Sequence, residues 1–372
     1  MSQPLSADII SPADLSASQA EHWSEIRRAN PRLDHPYFDV RYAWACAEAP
    51  GAGVAVLSRG RETVGFFPLQ KRLGLIQPLG APMTDYHGVI SVEPVSPEDL
   101  ALALRGSVRV NAWATSAAPG FTRRQRMATD VSGGLAALEA AQDLKHHKFM
   151  KNLRRNARGL HQEVGEVRFL WNDRDPAILD WILETKRAQY RRTHRHDVFA
   201  CGWTTDVLKR LRAMRPDGFG LRVASLRLAS GEPIAAEASL DDGRTLHLWF
   251  PVYSEAHKKR GPGMHLTWLQ MKQAASDGYR QIDFGCGDEG YKSALADPAG
   301  EVFEGVAAAG PAPTLALQSL IQRRGPAPLR RLGVSLARRM DIINACEVSP
   351  AGWLGGTAAA ARALAARAAS ND

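Results

Sequence analysis

Residues 255–275, EAHKKRGPGMHLTWLQMKQAA, decide how the chain is read. The run before them, TLHLWFPVY at 245–253, reads as a strand. Three consecutive cations follow, Lys258, Lys259 and Arg260, then a Gly-Pro-Gly and a helical stretch from about Met264 to Asp277. Free N–H groups at a helix start, together with the positive end of its dipole, make an anion site. Gly261 and Gly263 let the backbone approach a phosphate, and Pro262 suits a first turn that needs no N–H from it. A solvated basic turn at the start of a surface helix is the plainer alternative. The preceding strand and the Gly-Pro-Gly favour the phosphate site.

A second glycine group competes with this one. Within QIDFGCGDEGYK (281–292), Gly285, Gly287 and Gly290 spell the dinucleotide-binding G-x-G-x-x-G. Asp288 and Glu289 lie inside it and would repel a diphosphate at close range. Only one further strand candidate, EVFEGVAAA, follows, whereas a dinucleotide-binding motif opens its β-α-β unit. Asp283-Phe284-Gly285 invites a kinase reading, but no Gly-rich loop, lysine strand or His-Arg-Asp precedes it. Both readings fail on context.

Working outward, LRVASLRLASGEPIAAEASLDDG (221–243) reads strand, turn, strand, and the order from there is β-β-β-loop-α-β-α-β. Val54–Leu69 in the first half echoes Val223–Leu240, so the mixed α/β unit is present once in full and once in reduced form. Between the halves lie a basic helix candidate, KHHKFMKNLRRNARGLHQEVG, and a longer helix from Asp175 to about Arg192. From residue 311 the composition shifts. Arg doublets at 323–324, 330–331 and 338–339 stand among apolar residues, and the end is Ala-rich, as in an appendage of one or two short helices. The doublets recur at intervals of seven and eight, an interfacial-helix pattern whose arginines also suit bidentate clamping of a cyclic dinucleotide; a packing helix is the simpler reading.

At 372 residues the chain is long enough for two domains, and 45% hydrophobic with 23% charged residues fits a soluble globular protein. A formal charge of +8 favours anionic partners without ranking them. The start lacks a basic segment followed by an apolar core, so no secretory signal is expected, and no apolar run nears the roughly 20 residues that span a bilayer. Cys46, Cys201, Cys286 and Cys346 are widely spaced, which suggests free thiols in a reducing cytoplasm. The expected location is the cytosol, with peripheral contact at the cytoplasmic face of the inner membrane through residues 311–372.

These residues resemble the GNAT acyltransferase fold, and more narrowly the bacterial acetyltransferases of cellulose and exopolysaccharide biosynthesis. That family is similar in turn to FemAB-type aminoacyl transferases, which carry two GNAT units in one chain. The matching stretches are VGFFPLQ, PLGAPMTDYHGVI, KNLRRNARGL, KRAQYRRT, GEPIAAEASL, the RGPG loop and DFGCGDEGYK, covering roughly residues 25–310. The resemblance implies a mixed α/β fold of two tandem GNAT-like units with mixed central sheets, plus a C-terminal helical tail. The divisions are a degenerate unit at 1–142, an acyltransferase unit at 143–310 and the tail at 311–372. It also implies acetyl-CoA or another acyl-CoA as co-substrate, with pantetheine between splayed strands TLHLWFPVY and QIDF and the diphosphate on residues 258–264. Lys258 stands where the family's phosphate loop has Gln or Arg, which loosens the identity of the acyl donor.

Acyl transfer to an amine needs a base for the ammonium proton and a donor for the leaving thiolate. Candidate bases are Glu237, Asp288 and Glu289, and Tyr291 is the candidate donor, with Lys292 holding an anionic substrate or the cofactor. Each has a plainer alternative: Glu237 facing solvent on its strand, Asp288 and Glu289 capping YKSALA. Asp85, Tyr86 and His87 in the degenerate half, with Lys186, Arg187, Tyr190 and Arg191, are candidate acceptor-binding residues for a nucleotide- or lipid-linked sugar; the second group reads equally as an exposed helix face. His194 and His196 sit beside Asp197, but the flanking Arg191, Arg192 and Arg195 disfavour a cation, so no metal is assigned. The leading expectation is acetylation of an amino sugar or sugar precursor of an exopolysaccharide, with no DNA partner. The rivals are aminoacyl-tRNA-dependent transfer to a peptidoglycan precursor, and a regulatory protein whose tail binds a cyclic dinucleotide or a membrane.

Overall fold

The computed structural model of the chain describes residues 3–72, 74–287, 290, 292–310 and 327–369. Two compact units emerge, one from Met1–Arg123, Tyr190–Val207 and Val302–Asp372, the other from Arg124–Gln189 and Leu208–Glu301. The units therefore do not follow the 142/143 division read from sequence. That cut would fall inside a helix, and the described part of the tail clusters with the first unit.

In chain order the first unit begins with β1 (Leu5–Ile10), α1 (Ala17–Ala29), α2 (Val40–Ala45), β2 (Ala52–Arg59), β3 (Glu62–Arg72), β4 (Leu75–Pro78), β5 (Ile90–Ser91), α3 (Pro97–Leu104) and β6 (Ser107–Trp113). Ser16 and Gln19 close α1 with a reciprocal capping box. The strand β1 escapes the sequence reading because it is half-exposed along its length and carries only two isoleucines at its end. The second unit follows with β7 (Thr122–Asp130), α4 (Gly134–Val164), β8 (Val167–Leu170), α5 (Ala177–Arg192), α6 (Trp203–Met214), β9 (Gly220–Leu228), β10 (Pro233–Asp241), β11 (Thr245–Tyr253), α7 (Pro262–Ser276) and β12 (Gln281–Cys286). The basic helix candidate is the second segment of α4, which breaks at His146 (φ −132°, ψ 36°). Among the described residues of YKSALA the chain forms a 3-10 turn at Lys292–Ala294. The chain then returns to the first unit through β13 (Asp297–Ala308), α8 (Ala327–Cys346) and α9 (Pro350–Ala369).

The echo between the halves is written in the sheets. The first unit runs β1-β2-β3-β4-β6-β13 and the second β8-β9-β10-β11-β12-β7. In both, the first three pairings are antiparallel, the fourth (β4·β6, β11·β12) is parallel and the last is antiparallel. Each half is thus a GNAT-like mixed sheet, and the closing strand comes from elsewhere in the chain: β13 for the first, β7 for the second.

The tail helix α8 packs on its own unit. Arg338 donates to Glu304 of β13 at 2.9 and 2.6 Å, Arg109 of β6 donates to Asp341 at 2.8 Å, and Gln77 donates to the Asp341 carbonyl at 3.0 Å. Of the other doublets, 323–324 lie outside the described residues, as do the side chains of 330–331. Among the described residues no helix is long and apolar enough to cross a membrane, and all four cysteines are free thiols.

In the second unit Asp241 has no solvent exposure and accepts from Arg222 (2.6 Å), Arg215 (2.7 Å) and Tyr279 (2.9 Å). This carboxylate ties β9, β10 and the turns after α6 and α7 together. Asp241→Ala leaves two largely buried guanidinium groups uncompensated, and we expect a loss of about 3 kcal/mol in urea denaturation; a loss within about 0.5 kcal/mol, the range of ordinary surface changes, would contradict this account of the core.

Candidate functional site

Strands β11 and β12 pair at only three positions, Thr245↔Gln281, Leu246↔Ile282 and His247↔Asp283. Beyond them β11 continues to Tyr253 and β12 to Cys286 without pairing to each other, so the sheet forks as the resemblance implies. The fork has a definite apex. The Asp283 carboxylate accepts from His247 Nδ1 (2.8 Å), the Gly285 amide (2.8 Å) and Arg126 Nε on β7 (2.6 Å), and both Asp283 and His247 are 0% exposed. Gly285 and Gly287 have φ of +75° and +141°, which side chains rarely adopt, and they turn the chain away from β11. Gly285 and Gly287 therefore bend the chain at the end of β12. Because Asp283, salt-bridged to Arg126, can only accept, His247 Nδ1 is the donor in this bond.

The open end of the fork leads to the start of α7. Residues Glu255–Arg260 form a 3-10 turn, Gly261 takes the left-handed conformation (φ 59°, ψ 49°), and no side chain caps the helix. Among the described residues the amides of Gly263 and Met264 have no acceptor. A Cβ at Gly261 would meet nothing within 4 Å, so the site is open to solvent. The cations divide. Lys258 and Lys259 are exposed, with Lys258 3.6 Å from Glu255, whereas Arg260 is bound to Glu163 of α4 (Nε to Oε1 2.7 Å) and lies over Gly159. Arg260 thus fastens the turn to α4. His265 in the first turn adds no charge: burial, then the neighbouring charges of His161 and Lys272, pull its pKa down to about 4. Free amides, an uncapped N-terminus and two exposed lysines fit a diphosphate.

Among the described residues the first unit offers no equivalent. At the corresponding place α3 is capped by Ser96, which accepts from the Asp99 amide at 3.0 Å, and its first turn carries Glu98 and Asp99. A satisfied, acidic N-terminus repels an anion.

Glu237 is on β10 as expected, but it is 1% exposed rather than facing solvent. Gln270 of α7 donates to one carboxylate oxygen at 3.1 Å, and the other oxygen has no partner among the described residues. Burial raises its pKa to about 7 against the opposing pull of the Gln270 amide and the charge of Lys186. Its register partner, Pro251, lies beyond the last position at which β11 pairs with β12. Asp288, Glu289 and Tyr291 lie outside the described residues. Lys292 is buried and points its ammonium at the Cys286 carbonyl (3.4 Å).

Among the acceptor candidates, Tyr86 and His87 are buried in the first unit: Tyr86 meets the His35 ring edge-on at 4.7 Å, and His87 Nε2 accepts from the Asn111 amide at 3.1 Å. Asp85 beside them is half-buried. In the second unit, Lys186 donates to the Pro251 carbonyl (3.1 Å) and Arg187 is exposed. Tyr190 and Arg191 belong to the first unit; burial pushes the Tyr190 phenol well up. His247 and Arg126 were not singled out from sequence, and Asp283 entered only in the rejected kinase triplet. The available signal was a lone His and a lone Asp within the otherwise apolar strands TLHLWFPVY and QIDFGC.

Residues 147–293 match the profile of the acetyltransferase (GNAT) domain. No curated protein matches the chain by sequence. Among solved structures, it is similar to the C-terminal domain of a candidate lysylphosphatidylglycerol synthetase from Agrobacterium fabrum (13% identity, TM-score 0.46, covering 84% of this chain and 99% of that one). It is also similar to FemX (11%, 0.47, 76% and 95%) and to a tandem GNAT protein of the clavulanic acid biosynthesis pathway (11%, 0.47, 83% and 99%). The matched stretch contains the fork, the turn and α7, an acyltransferase-type fold.

A carboxyl whose pKa is raised on folding weakens stability as pH rises. Below the ordinary value of 4.5 Glu237 is protonated in both states; between 4.5 and about 7 only the unfolded chain releases the proton; above that the loss levels off. Glu237→Gln removes this dependence, and we expect its stability relative to the parent to grow from about pH 5 to pH 8, by up to about 3 kcal/mol. Denaturation midpoints showing a pH-independent difference would contradict the buried, neutral carboxyl.

Proposed function

We propose that the chain is an acyl-CoA-dependent N-acyltransferase, with acetyl-CoA as donor. The observation that carries the reading is the fork: two strands that pair at three positions and then part, with an uncapped, cation-flanked helix start at the open end. From Leu248 to Tyr253 β11 runs six residues without pairing to β12, about 20 Å of extended strand, which suits an extended arm carrying amides, such as pantetheine. Gly263 and Met264 amides, with Lys258 and Lys259, would hold the diphosphate. The donor's thioester supplies an activated acyl group at the apex of the fork. There His247, oriented by Asp283 and Arg126, would take the proton of the attacking amine as the C–N bond forms and the C–S bond breaks, and pass it to the departing thiolate so that free CoA leaves as the thiol. Glu237, near neutrality on the adjoining strand, is the second titratable group beside the gap. For the acceptor we propose an amino sugar or sugar precursor of an exopolysaccharide, which the sequence resemblance supports.

Gly261→Asp places a carboxylate at the anion site in a conformation Asp tolerates. Calorimetric titration is expected to show acetyl-CoA bound at least about tenfold more weakly with little change in melting temperature. His247→Ala should lower kcat by about 10²-fold or more with little effect on the KM for acetyl-CoA. Should acetyl-CoA neither bind nor stabilise the parent protein, the donor assignment is wrong.

A further inference from the structure

The first unit contains a cleft of about 450 Å³ between the end of α5, α8 and α9; of its lining only Arg191 was an acceptor candidate, and the fork and the 258–264 turn contribute no residue to it. Its lining includes four arginines, Arg191, Arg195, Arg339 and Arg362, and two histidines, His194 and His196, and not one acidic residue. Arg191, Arg195 and Arg362 are exposed and have no carboxylate partner among the described residues. Arg339 reaches the Ala360 carbonyl at 3.4 Å; outside the lining, Glu347 faces His196 Nε2 at 3.1 Å and Asp197 also acts on that imidazole. Like charges gathered in one concavity repel, and a bound polyanion relieves that repulsion.

The backbone shows the cleft to be built. The end of α5 closes with the Arg195 amide on the Tyr190 carbonyl (2.9 Å) and the His194 amide on the Arg191 carbonyl (3.3 Å), the paired bonds of a Schellman turn. The left-handed position of that turn normally belongs to glycine. Here it holds His194 at φ 51°, one of two non-glycine residues with positive φ among those described. A strained side chain at a lining position is the kind of cost that binding sites retain. The turn also satisfies the helix-end carbonyls that would otherwise repel an anion. On the opposite wall Gly356, Ala359 and Ala360 form one small-residue face of α9. A Cβ at Gly356 would press on Ile343 at 3.2 Å and on the His196 ring at 3.4 Å. Ile343, 1% exposed, gives the floor an apolar patch.

We infer that this cleft binds a soluble organic diphosphate of nucleoside-diphosphate size. The volume falls within the range of small-molecule sites, about 300–1,000 Å³. Several guanidinium forks converge where phosphate oxygens take bidentate bonds, and their planes, with the imidazoles, can stack on a flat base. The small wall and Ile343 leave room for the uncharged part of the ligand. The site is separate from the 258–264 turn, so it stands or falls independently of the donor reading.

The test is calorimetric titration of the full chain with ADP, UDP, inorganic pyrophosphate and adenosine, beside sedimentation with vesicles containing phosphatidic acid. We expect binding of ADP or UDP, weaker binding of pyrophosphate and none of adenosine. The variant R191A/R195A/R362A changes only exposed side chains, so it should fold, lose at least about tenfold in nucleotide affinity and keep its affinity for acetyl-CoA. Gly261→Asp should show the opposite pattern. His194→Gly relaxes the turn and removes the imidazole, and is expected to melt no lower while binding several-fold more weakly. The inference is overturned if neither nucleotide binds, if the triple variant binds them unchanged, or if only vesicles are bound.

Discussion

The Asp283 carboxylate both joins the second unit's sheet and forces it apart. It receives a proton donor from each side, His247 on β11 and Arg126 on β7, and a third from the Gly285 amide just beyond. An acid with no solvent exposure survives only where donors surround it, and these three leave little room for variation. The Gly285 bond bends the chain back at the point where parallel pairing would have continued. Beyond that point β11 and β12 run on without pairing to each other. The gap, the turn at its mouth and the direction of α7 all depend on this bond set.

The two units show how one sheet plan can be open to an anion in one copy and closed in the other. Their pairing senses agree strand for strand, yet α7 begins with a left-handed glycine and no cap, whereas α3 begins with a serine cap and two acids. A few residues at one helix start, rather than the sheet, decide which copy can hold a phosphate. The exchange of closing strands, β7 to the second sheet and β13 to the first, also explains why a cut at 142/143 does not separate two folding units.

Much of this was legible in the sequence because it is local. The hairpin pairs, the long apolar β11, the Gly-Pro-Gly before α7 and the misfit of the 285–290 glycines as a nucleotide cradle are all visible in short windows. Other features depend on distant partners. Arg260 reads as part of a cationic cluster until Glu163, about a hundred residues earlier, is seen to hold it. Glu237 reads as a half-exposed strand residue until α7 covers it. His247 and Asp283 are single polar letters in apolar strands, and only the register of a parallel pairing sets them side by side. The arginine-lined cleft needs α5 and the tail helices together, so neither segment announces it alone.

The central claim is that the fork receives the acyl donor, and amide hydrogen exchange tests it most directly. Adding acetyl-CoA should slow exchange at residues 248–250, 252 and 253 and at Gly263 and Met264, while the amides of α3 stay unchanged. Protection elsewhere with these amides unaffected would contradict the account.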